Sequence, residues 1–492
     1  MHVPTKRTII ALSTLLILAG CTALAPTSTT SNNSTTSTIA NLTPYTDPTG
    51  AVATYTTAGS IDTTSTFFQA LGTNQRTCAT CHQLNQGMSI NPATTLALFN
   101  STSGADPLFT AVDGANCPTA TTGNASQHSL ILNNGLIRIP VELPAGTQFT
   151  LTLLSDPYGC ALTLDPATGR QIVSTYRRPL PTASLPYLSN VMWDTRETID
   201  PLSSNSTFSA SLTADLTQQM LDAITNHEQG ATAPTSSQIA TVLAFEQGLF
   251  TAQATDTAAG SLSATGATGG ASDLAAVNYY PGINDAFGGD PTGAAFNPAN
   301  TFTLYTAWNG PGANAQQASI ARGEKIFNTA PLKITNVRGI NDNTSLNSPA
   351  AVQGSCTTCH DTPNVGNHSL PLPLDTGTPR IAADETDPNI IAALAQLSQP
   401  SLPIYQITGC TANNKPVTYV TSDPGKGLFT GLCSDINRVK VPILRGLAAR
   451  APYFHNGSAT NLTQVVNFYN ARFQMGLNPG QITDLVNFLN AL

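Results

Sequence analysis

The feature that most constrains this chain is a Cys-X-X-Cys-His motif that occurs twice, at residues 78–82 and 356–360. Two thiols three positions apart form thioether bonds to the two vinyl groups of one haem, and the following histidine is held beneath the iron. The motif therefore predicts two covalently attached c-type haems, one in each half of the chain. The predicted haem-binding residues are Cys78, Cys81, His82, Cys356, Cys359 and His360, with His82 and His360 as iron ligands.

Two other uses of paired cysteines fit this sequence less well. A structural zinc site needs four ligands, and neither motif has a second Cys/His pair at a suitable offset. A thioredoxin-like redox pair does not need the histidine and belongs in a βαβ pattern. Haem attachment is the interpretation that accounts for both copies.

The chain contains nine cysteines, and the two motifs do not use all of them. Cys117, Cys160, Cys410 and Cys433 form an even set, which suits an oxidising compartment. We expect Cys117 to pair with Cys160 and Cys410 with Cys433, each closing a loop within its own half. The spacing alone does not fix this connectivity.

The N-terminus predicts where the protein is located. A short basic segment precedes an apolar run at residues 9–18 that is too short to span a bilayer. A Leu-Ala-Gly-Cys sequence ending at Cys21 indicates a lipobox; an ordinary secretory signal with a chance cysteine is the alternative. Thr22 after that cysteine favours the outer membrane. We expect a signal peptide at 1–20, a lipidated flexible tether at 21–44 and a periplasmic location.

Composition excludes one class of partner and suggests a division into domains. The net charge of −8 argues against nucleic-acid binding, which needs a basic surface. A stretch rich in Gly and Ala at 255–300 separates the two motifs and predicts an interdomain connection. We therefore expect an N-terminal cytochrome c domain at 45–254 and a C-terminal one at 301–492.

Hydrophobic periodicity predicts the fold class. Apolar residues recur at three- and four-residue spacing after positions 212, 462 and 482, which predicts helices, with a turn at 478–480 between the last two. Strict alternation at 147–154 predicts a strand in an insertion. We expect a mainly α fold of two cytochrome c-like haem domains with long irregular loops and inserted segments.

Three further segments carry a resemblance to a known family. Residues 440–447 (Lys-Val-Pro-Ile-Leu-Arg-Gly-Leu) and 450–457 (Arg-Ala-Pro-Tyr-Phe-His-Asn-Gly) resemble the C-terminal signature of the di-haem cytochrome c peroxidase/MauG family. Residues 191–197 (Val-Met-Trp-Asp-Thr-Arg-Glu) resemble the tryptophan segment that follows the first haem in that family. The resemblance runs from about residue 67 to residue 492, in the same order.

The resemblance implies different roles for the two haems. The haem on His82 corresponds to the one that reacts with peroxide, and the haem on His360 to the one that receives electrons. Trp193 falls where the family keeps a conduit between the haems; a buried core tryptophan is the alternative interpretation.

The family also places a carboxylate over the peroxide haem. Counting from Gln218 as in the family leads to Glu228, beside His227, and either side chain suits the transfer of a proton between the peroxide oxygens. A solvated helix end is the alternative for both residues.

The second haem takes different distal ligands within the family. The peroxidases use a methionine and MauG uses a tyrosine, which lowers the reduction potential. Alignment on His455 places the ligand at Tyr469, and Met475 is the alternative ligand. Tyr469 could also be an ordinary core residue without a role as a ligand.

The sequence departs from the family in two places. Around residues 96–99 it lacks the displaceable histidine of peroxidases that need reductive activation, and His128 is the first histidine after His82. Residues 177–179 stand where the family has a calcium-binding asparagine, so the calcium that the family implies would bind through carbonyls such as that of Pro452.

Together these features predict a di-haem peroxidase that reduces hydrogen peroxide to water. Its electrons would come from a small periplasmic donor such as a monohaem cytochrome c or a cupredoxin. The alternatives are a MauG-like oxidase that modifies a protein or organic substrate, and a di-haem electron carrier with no peroxide chemistry.

Overall fold

The computed structural model describes residues 37–198, 208–366, 373–412 and 415–492. The predicted signal peptide and Cys21 lie outside these residues. The chain from Thr38 to Leu492 forms one compact unit. Within the described ranges, no helix is both long enough and apolar enough to cross a membrane.

Groups of helices and groups of strands follow one another along the described chain. The helices are α1 (Cys78–Cys81), α2 (Pro92–Thr102), α3 (Ser129–Asn134), α4 (Phe208–Asn226), α5 (Ser236–Gln247), α6 (Ala271–Ala275), α7 (Ala315–Thr329), α8 (Pro388–Leu394), α9 (Gly427–Thr430), α10 (Leu462–Arg472) and α11 (Pro479–Asn490). The strands are β1 (Thr38–Ala40), β2 (Pro44–Asp47), β3 (Gly50–Thr56), β4 (Ser60–Asp62), β5 (Ile137–Glu142), β6 (Thr150–Ser155), β7 (Leu162–Leu164), β8 (Gln171–Arg177), β9 (Leu249–Asp256), β10 (Gly260–Ser261), β11 (Leu332–Ile334), β12 (Val352–Gly354), β13 (Ile404–Ala412) and β14 (Lys415–Thr421).

The prediction of a mainly α fold is wrong. The structure is 32% helical and 19% strand, and its described strands form five sheets, so the fold is mixed α/β. The difference arises in segments rich in threonine and valine that we interpreted as irregular loops. β-branched side chains favour pleated backbone once a partner strand covers them, and that partner is distant in sequence.

The largest sheet shows how distant segments pair. Its order is β10-β9-β3-β2, so strands near the N-terminus pair with a strand from the middle of the chain. Asp47 Oδ1 accepts hydrogen bonds from the backbone N–H groups of Thr49 (2.9 Å) and Gly50 (3.0 Å), which closes the β2–β3 turn. A Cβ at Gly50 would lie 2.1 Å from the Thr255 carbonyl oxygen, so this close approach of β3 to β9 requires glycine.

A second sheet joins the two halves of the chain. The strand predicted at 147–154 is confirmed as β6, and it pairs antiparallel with β13, giving the order β14-β13-β6. Leu151 and Ile407 face each other in this register and are both buried. The predicted disulfides Cys117–Cys160 and Cys410–Cys433 are both confirmed.

The three predicted helices are confirmed as α4, α10 and α11. The predicted turn at 478–480 is in part the start of α11, because Asn478 caps the helix and Pro479 is its first residue. The Asn478 side chain accepts from the Gln481 N–H at 3.0 Å, and Gln481 Oε1 accepts from the Asn478 N–H at the same distance. Strand β1 lies within the predicted tether at 21–44 and β2 begins at its last residue, while β10 and α6 lie within the predicted connection at 255–300.

Candidate functional site

Each Cys-X-X-Cys-His motif lines one of two large neighbouring cavities. The first cavity contains the motif at 78–82 and has an empty volume of about 1330 Å³, including its mouth. The second cavity contains the motif at 356–360 and has an empty volume of about 1520 Å³. In each cavity most of the lining side chains are apolar, so each cavity can hold a largely apolar group against its motif.

The first motif forms a single capped helical turn. The Thr77 N–H donates to Thr80 Oγ1 at 3.0 Å, which starts α1 and places the two cysteines on one turn. His82 ends this turn, and its Nδ1 lies 3.1 Å from the Met88 carbonyl oxygen, a contact that leaves Nε2 available to a metal. Burial lowers the pKa of His82 to about 4, so the ring is neutral, which is the form that binds iron.

The second motif repeats this arrangement. The Ser355 N–H donates to Thr358 Oγ1 at 2.9 Å at the start of the turn. His360 Nδ1 lies 2.8 Å from the Val365 carbonyl oxygen, and burial lowers the pKa of His360 to about 4. The two histidines are therefore fixed in the same way by backbone carbonyls five or six residues downstream.

The four motif cysteines are free thiols in the structure: Cys78, Cys81, Cys356 and Cys359. Burial raises the pKa of three of them, Cys81, Cys356 and Cys359, to about 12. Each cavity thus offers two thiols, one anchored neutral imidazole and an apolar wall, and this donor set fits one haem c.

A group of three polar side chains opens into the first cavity. His227 Nδ1 lies 2.5 Å from Asp113 Oδ2, and the Arg76 guanidinium pairs with the other carboxylate oxygen. Although burial opposes it, the cationic Arg76 and the contact with His227 hold the pKa of Asp113 below its usual value. The His227 side chain is 30% exposed, so it reaches both the cavity and solvent.

Glu228 lines the same cavity and is more firmly held. Its Oε2 accepts from the Leu71 N–H at 2.9 Å, and its Oε1 lies 4.0 Å from Cys78 Sγ. Burial raises the pKa of Glu228, so the carboxyl takes a proton more readily than an exposed one. The structure therefore brings both predicted acid–base residues, His227 and Glu228, to the cavity of the first motif.

A third carboxyl of the first cavity was missed in the sequence. Glu246 lies on the buried face of α5 beside Val242 and Leu243. Thr182 Oγ1 donates to Glu246 Oε1 at 3.0 Å, while Oε2 has no hydrogen-bond partner among the residues described. Burial raises the pKa of Glu246 to about 7. The sequence signal that could have identified Glu246 is its position as an acidic residue among the apolar residues of one helix face.

One wall divides the two cavities, and five residues line both sides of it. These residues, which we call the dividing wall, are Arg178, Pro179, Trp193, Lys440 and Ile443. Trp193 Nε1 donates to the Arg178 carbonyl oxygen at 2.7 Å, and the indole ring lies 6.0 Å from the His455 ring. The tryptophan predicted to connect the two haems therefore contacts both cavities.

A buried ion network holds the dividing wall in place. Arg177 donates to Asp194 Oδ2 at 2.5 Å and to Asp423 Oδ2 at 2.7 Å, and all three side chains are buried. The attraction of Arg177 and Arg196 outweighs burial and lowers the pKa of Asp194. Since Asp194 follows Trp193 and Asp423 belongs to the other half, this network fixes the indole relative to both halves.

Both candidates for the distal ligand of the second haem line the second cavity. Tyr469 on α10 stacks on Phe473 at 5.9 Å and lies edge-on to Phe468 at 5.2 Å. Burial raises the pKa of Tyr469, so its phenol is protonated unless a metal binds it. Met475 follows α10, is buried and contributes a thioether to the same wall. The structure brings Tyr469 and Met475 together and leaves the choice between them as a prediction.

His128 is placed away from both cavities. Its two ring nitrogens lie 2.9 Å from the Asn124 carbonyl oxygen and 3.0 Å from the Phe109 carbonyl oxygen, so both are occupied by backbone. No group of three or more His, Cys, Asp or Glu side chains among the described residues is arranged to hold a metal ion.

Comparison with known proteins gives one partial relationship. No protein-family model matches the chain. The cytochrome-c peroxidase IdrP2 of Denitromonas iodatirespirans is 29% identical over 148 residues, which are 28% of this chain and 36% of the relative. The match thus spans about a third of the length of that curated relative. The chain is similar in part to a cytochrome-c peroxidase.

Proposed function

We propose that this protein is a di-haem c-type cytochrome peroxidase that reduces hydrogen peroxide to water with electrons from a small periplasmic donor. The observation that carries the proposal is the pair of cavities, each with a Cys-X-X-Cys-His motif, on the two sides of one dividing wall. The partial similarity to a cytochrome-c peroxidase supports the same activity.

The reaction needs two electrons and two protons for each hydrogen peroxide, and it releases two molecules of water. A haem bound through His82 would supply the redox-active iron. The chain supplies the protons: His227 reaches from solvent to the first cavity, and Asp113 holds its ring by the Nδ1 contact. Glu228 lies beside Cys78 and is the second proton carrier of the proposal.

Electrons follow a separate path in this proposal. A donor such as a monohaem cytochrome c or a cupredoxin reduces the protein at the second cavity, where the motif at 356–360 and either Tyr469 or Met475 hold the second haem. Trp193 then connects the two haems, because its indole ring contacts both cavities. The ion network around Arg177 keeps the indole in a single orientation.

The proposal places the protein in the periplasm, tethered through lipid on Cys21, and includes calcium bound through backbone carbonyls such as that of Pro452. Globomycin treatment of cells tests the lipid anchor, because it blocks processing of the lipobox. Metal analysis of the purified protein tests calcium.

Peroxide turnover by the purified protein with two haems tests the central proposal. A reduced small cytochrome c is the donor, and its oxidation is followed after peroxide is added. Peroxide-dependent oxidation of the donor is expected, with a large loss in the His227→Ala variant. A protein with both haems that does not react with peroxide contradicts the proposal and leaves a di-haem electron carrier.

A second candidate is a MauG-like oxidase, and the position of Tyr469 in the second cavity favours it. In that function peroxide oxidises a protein or an organic substrate rather than a small electron donor. A protein that consumes peroxide but does not oxidise the reduced cytochrome identifies this alternative.

A further inference from the structure

The dividing wall contains a buried lysine that has no counter-charge among the described residues. Lys440 is 3% exposed, and its ammonium donates to the Asn190 carbonyl oxygen at 2.6 Å. Within the described chain, no carboxylate forms an ion pair with it. An ammonium has three donors, and burial of an unpaired charge is costly, so Lys440 has unused capacity to bind an anion.

A second buried cation of the wall, Arg178, keeps one donor, its Nε–H, without a partner among the described residues. Arg178 donates to the backbone carbonyl oxygens of Ile90, Asn134, Gly135 and Arg450, and no described carboxylate pairs with it. Arg450 is half-buried, has no carboxylate partner in the described ranges, and lines the second cavity only. The neighbouring Arg177, by contrast, is neutralised by two aspartates.

Backbone hydrogen bonds fix these cations beside Trp193. The Lys440 N–H donates to the Trp193 carbonyl oxygen at 2.8 Å, and the indole N–H donates to the Arg178 carbonyl oxygen at 2.7 Å. Both cations line both cavities. The wall therefore presents two cationic side chains, without a described carboxylate partner, to the two places where the haems are proposed to lie.

We infer that Arg178 and Lys440 form one shared binding site for haem carboxylate side chains. The carboxylates of one haem would reach this site from the first cavity, and those of the other haem from the second cavity. The inference rests on the proposed function, because it needs a haem in each cavity. A carboxylate can form charge-assisted hydrogen bonds with the remaining N–H groups of the Lys440 ammonium and with the Nε–H of Arg178, which offsets the cost of burying these charges. The shared positive charge favours the reduced form of both irons, so it raises both reduction potentials together.

The Lys440→Met variant tests the inference, because methionine is also unbranched and only one atom shorter than lysine, and it removes the charge. The two midpoint potentials are measured by a redox titration in which the electron paramagnetic resonance signals identify each haem. We expect the reduction equilibrium of both haems to fall about tenfold, which is about 59 mV for a one-electron couple. Lys440→Arg keeps the charge, so we expect both potentials to stay within about 15 mV, a factor of about two.

Arg450→Gln is the matched control, since Arg450 is a half-buried cation that pairs with no described carboxylate and lines the second cavity alone. We expect it to lower the potential of the second haem only. A Lys440→Met protein in which one potential or neither falls overturns the inference, and so does an equal shift in Lys440→Arg.

Haem content distinguishes the possible failures. Fewer than two attached haems in the unmodified protein contradicts the proposed function itself. If Lys440→Met does not retain both haems, Lys440→Gln replaces it. Loss of haem from both neutral variants but not from Lys440→Arg supports the need for a charge at this position, whereas loss from all three variants contradicts it.

Discussion

The first and second cavities contain the same Cys-X-X-Cys-His motif but differ in the side chains around it. Asp113, Glu228 and Glu246 line the first cavity, whereas no described residue that lines the second is an aspartate or glutamate. The second cavity instead has Tyr469 and Met475, two side chains able to bind iron. The described wall of the first cavity contains no tyrosine.

Under the proposed function, this difference corresponds to a division of labour between the two sites. A site that must supply protons needs carboxyl groups and a histidine that reaches solvent. A site that only passes electrons needs a closed coordination sphere and dry surroundings, because ligand exchange and proton uptake slow electron transfer. The motif fixes how a haem is attached, and the surrounding wall then determines what the haem does.

The largest expected effects come from removal of one haem at a time. With Cys78 and Cys81 both changed to serine, we expect the reaction with peroxide to be abolished. With Cys356 and Cys359 both changed to serine, we expect donor oxidation to be abolished and the direct reaction with peroxide to remain. Haem number is measured by mass spectrometry, and the peroxide reaction is followed by absorption spectroscopy. Loss of the peroxide reaction from the second variant but not from the first would reverse the assignment of the cavities.

The next largest effect is expected from the proton carriers of the first cavity. Replacement of His227 by alanine together with Glu228 by glutamine is expected to lower turnover by roughly 10²–10⁴-fold, because general acid–base groups contribute that much. Glu324→Gln is the control. Glu324 is also buried and accepts from the Tyr305 N–H at 2.8 Å, but it is not among the residues that line either cavity. An equal loss of turnover in that variant would attribute the effect to stability.

A smaller effect is expected at the second cavity, where Tyr469→Phe tests the distal ligand. Loss of an oxygen ligand destabilises the oxidised iron, so we expect the second reduction equilibrium to rise at least tenfold, or about 59 mV. Met475→Leu serves as the paired variant and is expected to leave the potential unchanged. The opposite pattern, with an effect of Met475→Leu alone, would identify the methionine as the ligand.

Local sequence patterns were sufficient for the features that depend on neighbouring residues. Two thiols and a histidine on one turn predict haem attachment, and apolar residues three and four positions apart predict α4, α10 and α11. The strand β6 was predicted from its own alternation. Its partner β13 was not, because strand pairing between residues 150–155 and 404–408 leaves no signal in either segment alone.

The side chains that distinguish the cavities depend on such long-range contacts. Asp113 is unremarkable in the sequence until folding brings it to His227. Lys440 belongs to a motif that we identified, yet the absence of a counter-charge among its described neighbours appears only in the folded chain. Glu246 stands in the apolar stripe of α5, but its place in the cavity and its hydrogen bond from Thr182 appear only in the folded chain.

The smallest expected effect concerns Glu246 and the dependence of stability on pH. The pKa of Glu246 is raised from 4.5 to about 7 in the folded protein by burial. The folded state therefore binds more protons than the unfolded state between these values, so the contribution is complete below pH 4.5 and is lost as the pH rises through about 7. Glu246→Gln is expected to reduce the slope of unfolding free energy in this range by at most about 1.4 kcal/mol per pH unit. Thr182→Val, which removes the hydrogen bond to Oε1, is expected to shift the decline to higher pH. Chemical denaturation of the haem-loaded protein across this range measures both variants, and a Glu246→Gln curve parallel to the unmodified one would show that this carboxyl is already ionised in the first cavity.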